Sequence, residues 1–560
     1  MEKNWIVRNF SPQAFVLSKK YNINPVLAQL LINRDIREEE FFSFLEPRVD
    51  NLFSPFLLPD IDKALERIRK AIERGERVCL LGDYDVDGVT SLVIFYEYIK
   101  NFPLQISFYI PHRIHEGYGL TKNVLEKVKG DGVTLLICFD CGTNSYQEAR
   151  LAKSLGIDVI VVDHHTPKEG LNNDFYAFLN PKREGSSYPF KELTSAGLAF
   201  KVVWALRRNF PFDLLDLVAL ATVCDVVPLK GENRIFLSEG IKWLRSNYRP
   251  AISALCESAK ITPKNIEPYH IGYILGPRIN ACGRVADAKK ILDFLLCYDT
   301  EQLRESAKII EDYNRQRKAI ESEVLREAEE IVERDLKEDF ALVVYRDGWH
   351  PGVLGIVASK LVERFWRPTL VIGVENNRGK GSGRSIPGIH IMEVLEECRE
   401  LLSTYGGHKK AAGIEISKEN LEKFKYKFNE VVERRVGSKR FLPNLEIDLE
   451  LPFKYISVKL VQELEKLKPF GEENSYPLFL TRNVHVKSPP KKVNISSGKQ
   501  TKLYNFWITD GTYTYEAVSS EDNQFFDLLN YGASLDIVYS LERNSYYDNV
   551  RLVIRDIRIS

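Results

Sequence analysis

The chain has 560 residues, and its 78 lysines and arginines are balanced by 78 aspartates and glutamates, so no global field announces a nucleic-acid partner, although balance leaves room for a local basic groove. Apolar residues make up 44% and charged ones 28%, as in a globular protein, and no stretch supplies the ~18 uninterrupted apolar residues of a membrane span. The first residues, MEKNWIVRNF, lack the apolar core of a secretory leader, and eight scattered cysteines read as reduced thiols, so the expectation is a cytoplasmic protein of about three or four domains.

In chain order, residues 10–45 read as short helices. From Leu65, helical patterns alternate with the apolar runs Val78–Leu81, Ile106–Ile110, Leu135–Phe139 and Val159–Val162. Short strands spaced by amphipathic helices predict βαβ units and a mostly parallel sheet, an α/β domain over 51–300 that follows a helical segment at 1–50. Residues 301–336 contain neither Gly nor Pro and place Leu303, Ala307, Ile310, Tyr313, Ile320, Val324, Ala328 and Ile331 at helical intervals. A continuous helix there would be ~54 Å long and would join two domains. Strand-like Phe340–Tyr345 and Thr369–Val374 flank a helix at Val353–Phe365, which predicts a smaller α/β domain over 337–440. The last part, 441–560, is rich in β-type runs (Tyr504–Thr509, Thr514–Val518, Ser534–Tyr539, Val550–Ile559) and predicts a small antiparallel barrel of the oligonucleotide-binding (OB) type.

The chemistry gathers at four apparent strand ends: Asp83, Asp85 and Asp87 in GDYDVDG; Asp140 in FDCG; Asp163, His164 and His165 in VVDHH; and Asp225 in TVCDVV. Ligands of parallel sheets collect at the carboxyl ends of the strands. Each residue alone has an ordinary structural use, an Asp after a strand as a helix N-cap, a His pair as a satisfied polar pair. Together, so many carboxylates repel one another and are costly to desolvate unless a cation compensates. Aspartates with an imidazole suit Mn²⁺ or Mg²⁺ better than zinc, and two such ions ~3.5–4 Å apart are the arrangement for phosphoester hydrolysis. Cys138 and Cys141 have CxxC spacing but no second half of a zinc site, and read as buried thiols.

GDYDVDG, DCG, DHH and Asp225 resemble the motif series of the DHH phosphoesterase family, and GGHKKAAG at Gly406–Gly413 resembles its companion DHHA1 domain. The resemblance spans about 50–440, and the further segments are similar to the family's bacterial single-strand-specific exonucleases. It implies that Asp83, Asp85 and Asp140 hold one ion and that Asp87, Asp140, His164 and Asp225 hold the other, with Asp140 bridging. His165 would orient the cluster or touch the scissile phosphate. In PHRIHEGYGL, Arg113 would meet a terminal phosphate and Tyr118 a sugar or base; the plain alternative is a polar turn. In GPRINACGR, Arg278 would neutralise charge on the transferred phosphoryl group beside Asn280 and Arg284, or else form an inter-domain salt bridge. The glycine-rich RGKGSGRSIPG resembles a 5′-phosphate pocket of backbone N–H groups with Ser382 and Arg384. In GGHKKAAG, His408 would donate to a phosphate at a helix start. His350 could sit near the cleft.

Between Val486 and Lys502 lie five lysines and no acid, beside Tyr504, Phe506 and Trp507, which fits backbone tracking and base stacking on an OB fold. The resemblance thus implies a two-metal exonuclease that acts on single-stranded DNA from the 5′ end, releases 5′ mononucleotides, and serves recombination and repair. It further implies a monomer working at the nucleoid, with a single-strand-binding protein and a RecQ-type helicase as possible partners and no membrane. The alternatives are a phosphodiesterase for short oligonucleotides or cyclic dinucleotides, and a catalytically silent single-strand-binding scaffold.

Overall fold

A computed structural model of the 560-residue chain describes residues 3–113, 116–168, 174–437, 442–493, 503–520, 529–544 and 548–560. Ile114 and His115 of PHRIHEGYGL lie outside the described residues, as does the lysine-rich stretch 494–502 with Lys499 and Lys502. The chain divides into two compact units: Phe53–Val227 with Gly240–Pro443, and Met1–Leu52 with Pro228–Glu239 and Asn444–Ser560.

The larger unit holds two sheets. In the first, β1 (Arg77–Gly82), β2 (Gln105–Tyr109), β3 (Leu135–Phe139), β4 (Asp158–Val162) and β5 (Ala177–Leu179) run all parallel in the order β2-β1-β3-β4-β5. Strands β1, β3 and β4 are almost continuously buried, because helices cover both faces of a parallel sheet. Register then does the positioning: Gly82 pairs with Phe139 and Phe139 with Val162, so the next residue on each strand, Asp83, Asp140 and Asp163, emerges at one level. Helices α1 (Val86–Ile99), α2 (Ser195–Arg207) and α3 (Leu215–Cys224) pack on one another beside this edge. Asp225 therefore ends a helix and not the strand expected from sequence. The apolar run before it is buried all round, and periodicity cannot separate a buried helix from a buried strand over so short a span.

Helix α4 (Gly276–Val285) leads towards α5 (Thr300–Asp335), which is continuous as predicted and starts on an Asp299 side-chain cap. Its buried stripe is apolar at both ends, with Leu303, Ala307, Ile310, Val324, Ala328 and Val332, but polar in the middle, where Asn314, Arg317 and Glu321 replace the expected Tyr313 and Ile320. The second sheet consists of β6 (Leu342–Asp347), β7 (Thr369–Glu375), β8 (Arg378–Arg384), β9 (Thr404–His408) and β10 (Ala411–Ser417), in the order β9-β10-β8-β7-β6. Only β6 and β7 are parallel, and α6 (Leu354–Phe365) covers the sheet.

Two sequence readings are corrected here. GGHKKAAG is a β-hairpin and no helix start, since β9 and β10 pair antiparallel from Thr404↔Glu415 to His408↔Ala411. RGKGSGR is strand β8 and no open phosphate loop: Cβ atoms added at Gly379, Gly381 and Gly383 would run into Ile372 and Ile416, Ile414 and Ile372, and Ile391 and Leu370. With a strand period of two, these glycines make room for core side chains, and Ser382 and Arg384 face the other way.

In the smaller unit, β11 (Phe479–Val493), β12 (Leu503–Thr509), β13 (Thr514–Ser520), β14 (Ser534–Asn544) and β15 (Asn549–Ile559) form a barrel closed by the β11–β14 pairing. The predicted small barrel is present, with its neighbours antiparallel except for β13 and β15, which are parallel. The N-terminal segment also carries a strand, Asn4–Val7, paired in parallel with Asn444–Ile447. Its helices at Pro12–Tyr21 and Pro25–Asn33 give Ala14, Leu17, Leu27, Leu30 and Leu31 to the same apolar core as barrel residues Phe479, Ile508, Ile537 and Leu552.

Candidate metal centre

The junction from β1 into the first turn of α1 crowds three aspartates into five residues. Asp85 caps α1 by accepting from the Gly88 N–H at 3.1 Å, so the ordinary N-cap reading holds for it while its second oxygen stays available. Gly88 is required by close approach, because a Cβ there would lie 2.5 Å from the Asp83 carbonyl oxygen. Asp87, in the first turn of α1, accepts from the Ser195 and Ala196 N–H groups at the start of α2, at 2.8 and 2.7 Å. Asp140 is held in a left-handed backbone turn, φ 61°, and accepts from the Ser195 hydroxyl at 3.0 Å.

Three sets of ligand atoms each lie within 4.8 Å of one another: Asp83, Asp85 and Asp140; Asp87, His164 and Asp225; and Asp140 with Asp163, His164 and His165. His164 Nε2 stands 3.4 Å from Asp140, 3.6 Å from Asp225 and 3.8 Å from Asp87. These separations are longer than good hydrogen bonds and leave room for an ion between donors. The buried Oδ1 of Asp83 has no hydrogen-bond partner among the described residues. Burial, then Asp85, pushes the Asp83 carboxyl well above the ordinary range. Burial and Asp225 raise Asp87 to about 7, burial and Asp85 raise Asp225 to about 7, and burial with Asp87 raises Asp140. Burial pushes the His164 imidazole down, which favours its neutral, ligating form. An orphaned carboxylate oxygen and a donor set of five carboxylates with one neutral imidazole fit Mn²⁺ or Mg²⁺.

Asp163 has a different occupation. Its carboxylate accepts from the backbone N–H groups of His164, His165 and Thr143 at 2.8, 3.2 and 3.0 Å, and from His165 Nδ1 at 2.7 Å. Burial alone would raise this carboxyl, but His165 and the donors hold it below the usual range; reciprocally, Asp163 overrides the effect of burial on His165 and raises it to about 9. Asn180 braces the same corner, donating to Thr143 Oγ1 and to the His165 carbonyl. Neither Ser195 nor Asn180 was picked out from sequence. The signal for Ser195 was present in Thr194-Ser195-Ala196-Gly197, where the Thr194 side chain caps α2.

Of the expected DNA contacts, Arg113 packs over the Tyr84 ring at 4.7 Å with its charge directed to Asp83. The Tyr118 hydroxyl donates to the Asp140 carbonyl at 2.6 Å and lies 3.4 Å from His165 Nδ1, while its ring stays exposed. Arg278 does not join the cluster: it pairs with Glu311 of α5 at 2.6 Å and donates to the Ile274 carbonyl. Asn280, on the same helix, has a buried side-chain oxygen with no partner among the described residues. Arg284 is the arginine of GPRINACGR that lies in the field of Asp85. Burial, Arg113 and Arg317 lower it to about 10, and its guanidinium donates to the Gly352 carbonyl at 3.0 Å. Arg384 is lowered by burial and by Arg113, and sits with Ser382 against Gly355 of α6. Among the described residues, Arg113, Arg284 and Arg384 make no ion pair with a carboxylate. Such a group of unpaired cations calls for an anion. His408 is exposed at the end of β9 and lies in the field of His165 and Lys182; His350 accepts from the Gly352 N–H. Cys138 and Cys141 are buried free thiols.

Carboxylates shared through Asp140 at the carboxyl edge of a parallel sheet, with DHH on the next strand, define the class: a DHH phosphoesterase. The DHH family N-terminal domain matches residues 77–222 and the DHHA1 domain residues 338–434. The RecJ OB domain matches residues 447–556. Over 549 residues the chain is 34% identical to the single-stranded-DNA-specific exonuclease RecJ of Bacillus subtilis, covering 97% of this chain and 69% of that protein. It is also 34% identical to that of Salmonella typhimurium over 484 residues, 82% of this chain and 83% of the relative. The crystal structure of RecJ in complex with Mn²⁺ from Thermus thermophilus superposes with a TM-score of 0.83 at 25% identity, covering 100% of this chain and 80% of that one. A crystal structure of exonuclease RecJ bound to manganese gives 0.60 at 30% identity, covering 67% and 95%. The chain belongs to the RecJ family.

Proposed function

We propose that this chain is a Mn²⁺- or Mg²⁺-dependent exonuclease that hydrolyses single-stranded DNA from the 5′ end and releases 5′ mononucleotides. The observation that carries this reading is the gathering of Asp83, Asp85 and Asp140 and of Asp87, His164 and Asp225, each set within 4.8 Å, together with a bank of arginines that, among the described residues, make no ion pair with a carboxylate.

Asp83, Asp85 and Asp140 would hold one ion, and Asp87, Asp140, His164 and Asp225 the second. Bound there, the ions supply Lewis acidity and a water of lowered pKa for attack on phosphorus. Ser195 and the first N–H groups of α2 fix the orientation of Asp87 and Asp140, so little reorganisation accompanies loading. Asp163 engages His165 through Nδ1, which leaves His165 Nε2 to donate to a phosphate oxygen. Arg284, in the field of Asp85, takes the charge-neutralising role that sequence reasoning gave to Arg278. Arg113, Ser382 and Arg384 receive the terminal phosphate, with Tyr118, Asn280 and His408 lining the path. The OB domain, with Trp507 exposed on β12, contributes single-strand affinity. The reading extends to a monomer working in the cytoplasm near the nucleoid, with a single-strand-binding protein and a RecQ-type helicase as partners; it rests there on the family resemblance. No helix among the described residues is long and apolar enough to cross a membrane.

Digestion of single strands labelled at either end, with and without a 5′ phosphate, tests the reading, with duplex, dinucleotide and Asp140→Ala controls. Expected are label release from the 5′ end first, faster cleavage of phosphorylated ends, dependence on Mn²⁺ or Mg²⁺, and no turnover by the variant. Turnover confined to the dinucleotide, or cleavage undiminished by chelator, would overturn it.

A further inference from the structure

The segment between α3 and α4 carries a feature that the metal centre does not use. Residues Ile271–Leu275 form a π-helical turn that holds Tyr273, and Tyr269, four residues earlier, lies in the short helix Pro268–His270 that leads into it. Their rings stack, with centroids 5.1 Å apart and planes 25° apart, yet Tyr273 is 75% exposed and Tyr269 44%. Isolated exposed tyrosines are ordinary, but two rings stacked on each other with a face left to solvent form a ready flat surface. π-Helical turns recur at functional sites.

The turn is packed directly on the end of α3. Cys224 Sγ lies 4.0 Å from the Ile271 carbonyl, and Cβ atoms added at Gly272 and Gly276 would come 3.2 Å from Val223 and 2.5 Å from Cys224 Sγ. The next residue is the candidate ligand Asp225. After it stands Val226, 63% exposed with φ 56°, a backbone region that strains a β-branched residue. The helix that continues from the turn carries Arg284.

We propose that Tyr269 and Tyr273 form a stacking platform for an unpaired base of the strand leaving the metal centre. The inference rests on the nuclease reading and adds to it a sequence-independent contact: every base has a π face, and a base inside a duplex keeps that face covered. The platform would therefore favour single strands without reading their order.

The test compares the wild-type protein, the double variant Tyr269→Ala/Tyr273→Ala and the double variant Tyr269→Phe/Tyr273→Phe. Substrates are a dinucleotide and a long single strand carrying 2-aminopurine at successive positions, in Mn²⁺. The alanine pair is expected to raise KM on the long strand on the order of tenfold and to relieve 2-aminopurine quenching at one or two positions, as for loss of a stacked base. It should leave dinucleotide turnover unchanged, and the phenylalanine pair should match the wild type in both. Unchanged KM and quenching in the alanine pair would overturn the proposal, as would an equal loss on the dinucleotide, which would mean distortion of the Asp225 turn. Absence of wild-type turnover on both substrates would instead sink the nuclease reading and this inference with it.

Discussion

Asp163 and Asp140 leave neighbouring strands at the same level, yet among the described residues the Asp163 carboxylate accepts four hydrogen bonds and the Asp140 carboxylate one, from the Ser195 hydroxyl. Four donors occupy Asp163, which makes it a residue that orients His164 and His165. Replacing it by Asn exchanges an acceptor for a donor against these N–H groups. Asp163→Asn is therefore expected to weaken Mn²⁺ binding about 10- to 100-fold, as for other outer-shell partners, and calorimetric titration would measure it. The carboxylates of the cluster carry a stability consequence of the opposite sign to the usual acidic residue. Asp87 and Asp225 titrate near 7 in the folded, metal-free protein against about 3.9 in an unfolded chain, so the folded form binds more protons between these values. Their cost to folding is absent below about pH 4, grows as pH rises and is complete above about 7. Thermal scans in chelator should accordingly show these groups lowering the melting temperature from pH 5.5 to 8, and saturating Mn²⁺ should abolish that trend.

At the scale of the element, glycine-rich segments mean different things in different places. In β8 the glycines clear space for isoleucines and Leu370, and in GGHKKAAG they permit a hairpin, with Gly407 at φ 149°. In GDYDVDG, Gly88 allows the first turn of α1 to touch the backbone that delivers Asp83. A methyl group at that point cannot be relieved by a side-chain rotation, since the neighbours are backbone atoms. Gly88→Ala is expected to preserve helix content by circular dichroism while abolishing divalent-metal uptake. Helix α5 was legible as a helix from its spacing, but its polar middle was not. Asn314, Arg317 and Glu321 are buried there, with Arg317 bonded to the other two, and the apolar pattern alone pointed to Tyr313 and Ile320.

Considered as a whole molecule, the chain groups segments far apart in sequence. The N-terminal helices share a core with the C-terminal barrel, and residues 228–239 belong to that same unit. Arg234 is the clasp within it: fully buried, it stacks on Phe44 and donates to the carbonyls of Phe44, Lys466, Leu467, Lys468 and Pro469. Removing the guanidinium leaves buried acceptors unsatisfied, each worth about 1–3 kcal/mol. Arg234→Met should therefore destabilise this unit by about 3 kcal/mol or more, and limited proteolysis should detect early cleavage within residues 1–52.

What could be read from the sequence was whatever local pattern and strand geometry impose. Apolar runs ending in Asp, repeated along βαβ units, place Asp83, Asp140 and Asp163 side by side in any parallel sheet in register, and like charges so gathered need a cation. The tertiary structure decided the matters that depend on partners distant in sequence. A long arginine side chain goes where packing supplies a counter-charge, so Arg278 pairs with Glu311 on α5 while Arg284 lies in the field of Asp85. Likewise Asp87 finds its donors more than a hundred residues away at Ser195 and Ala196, because only folding brings the start of α2 to the start of α1.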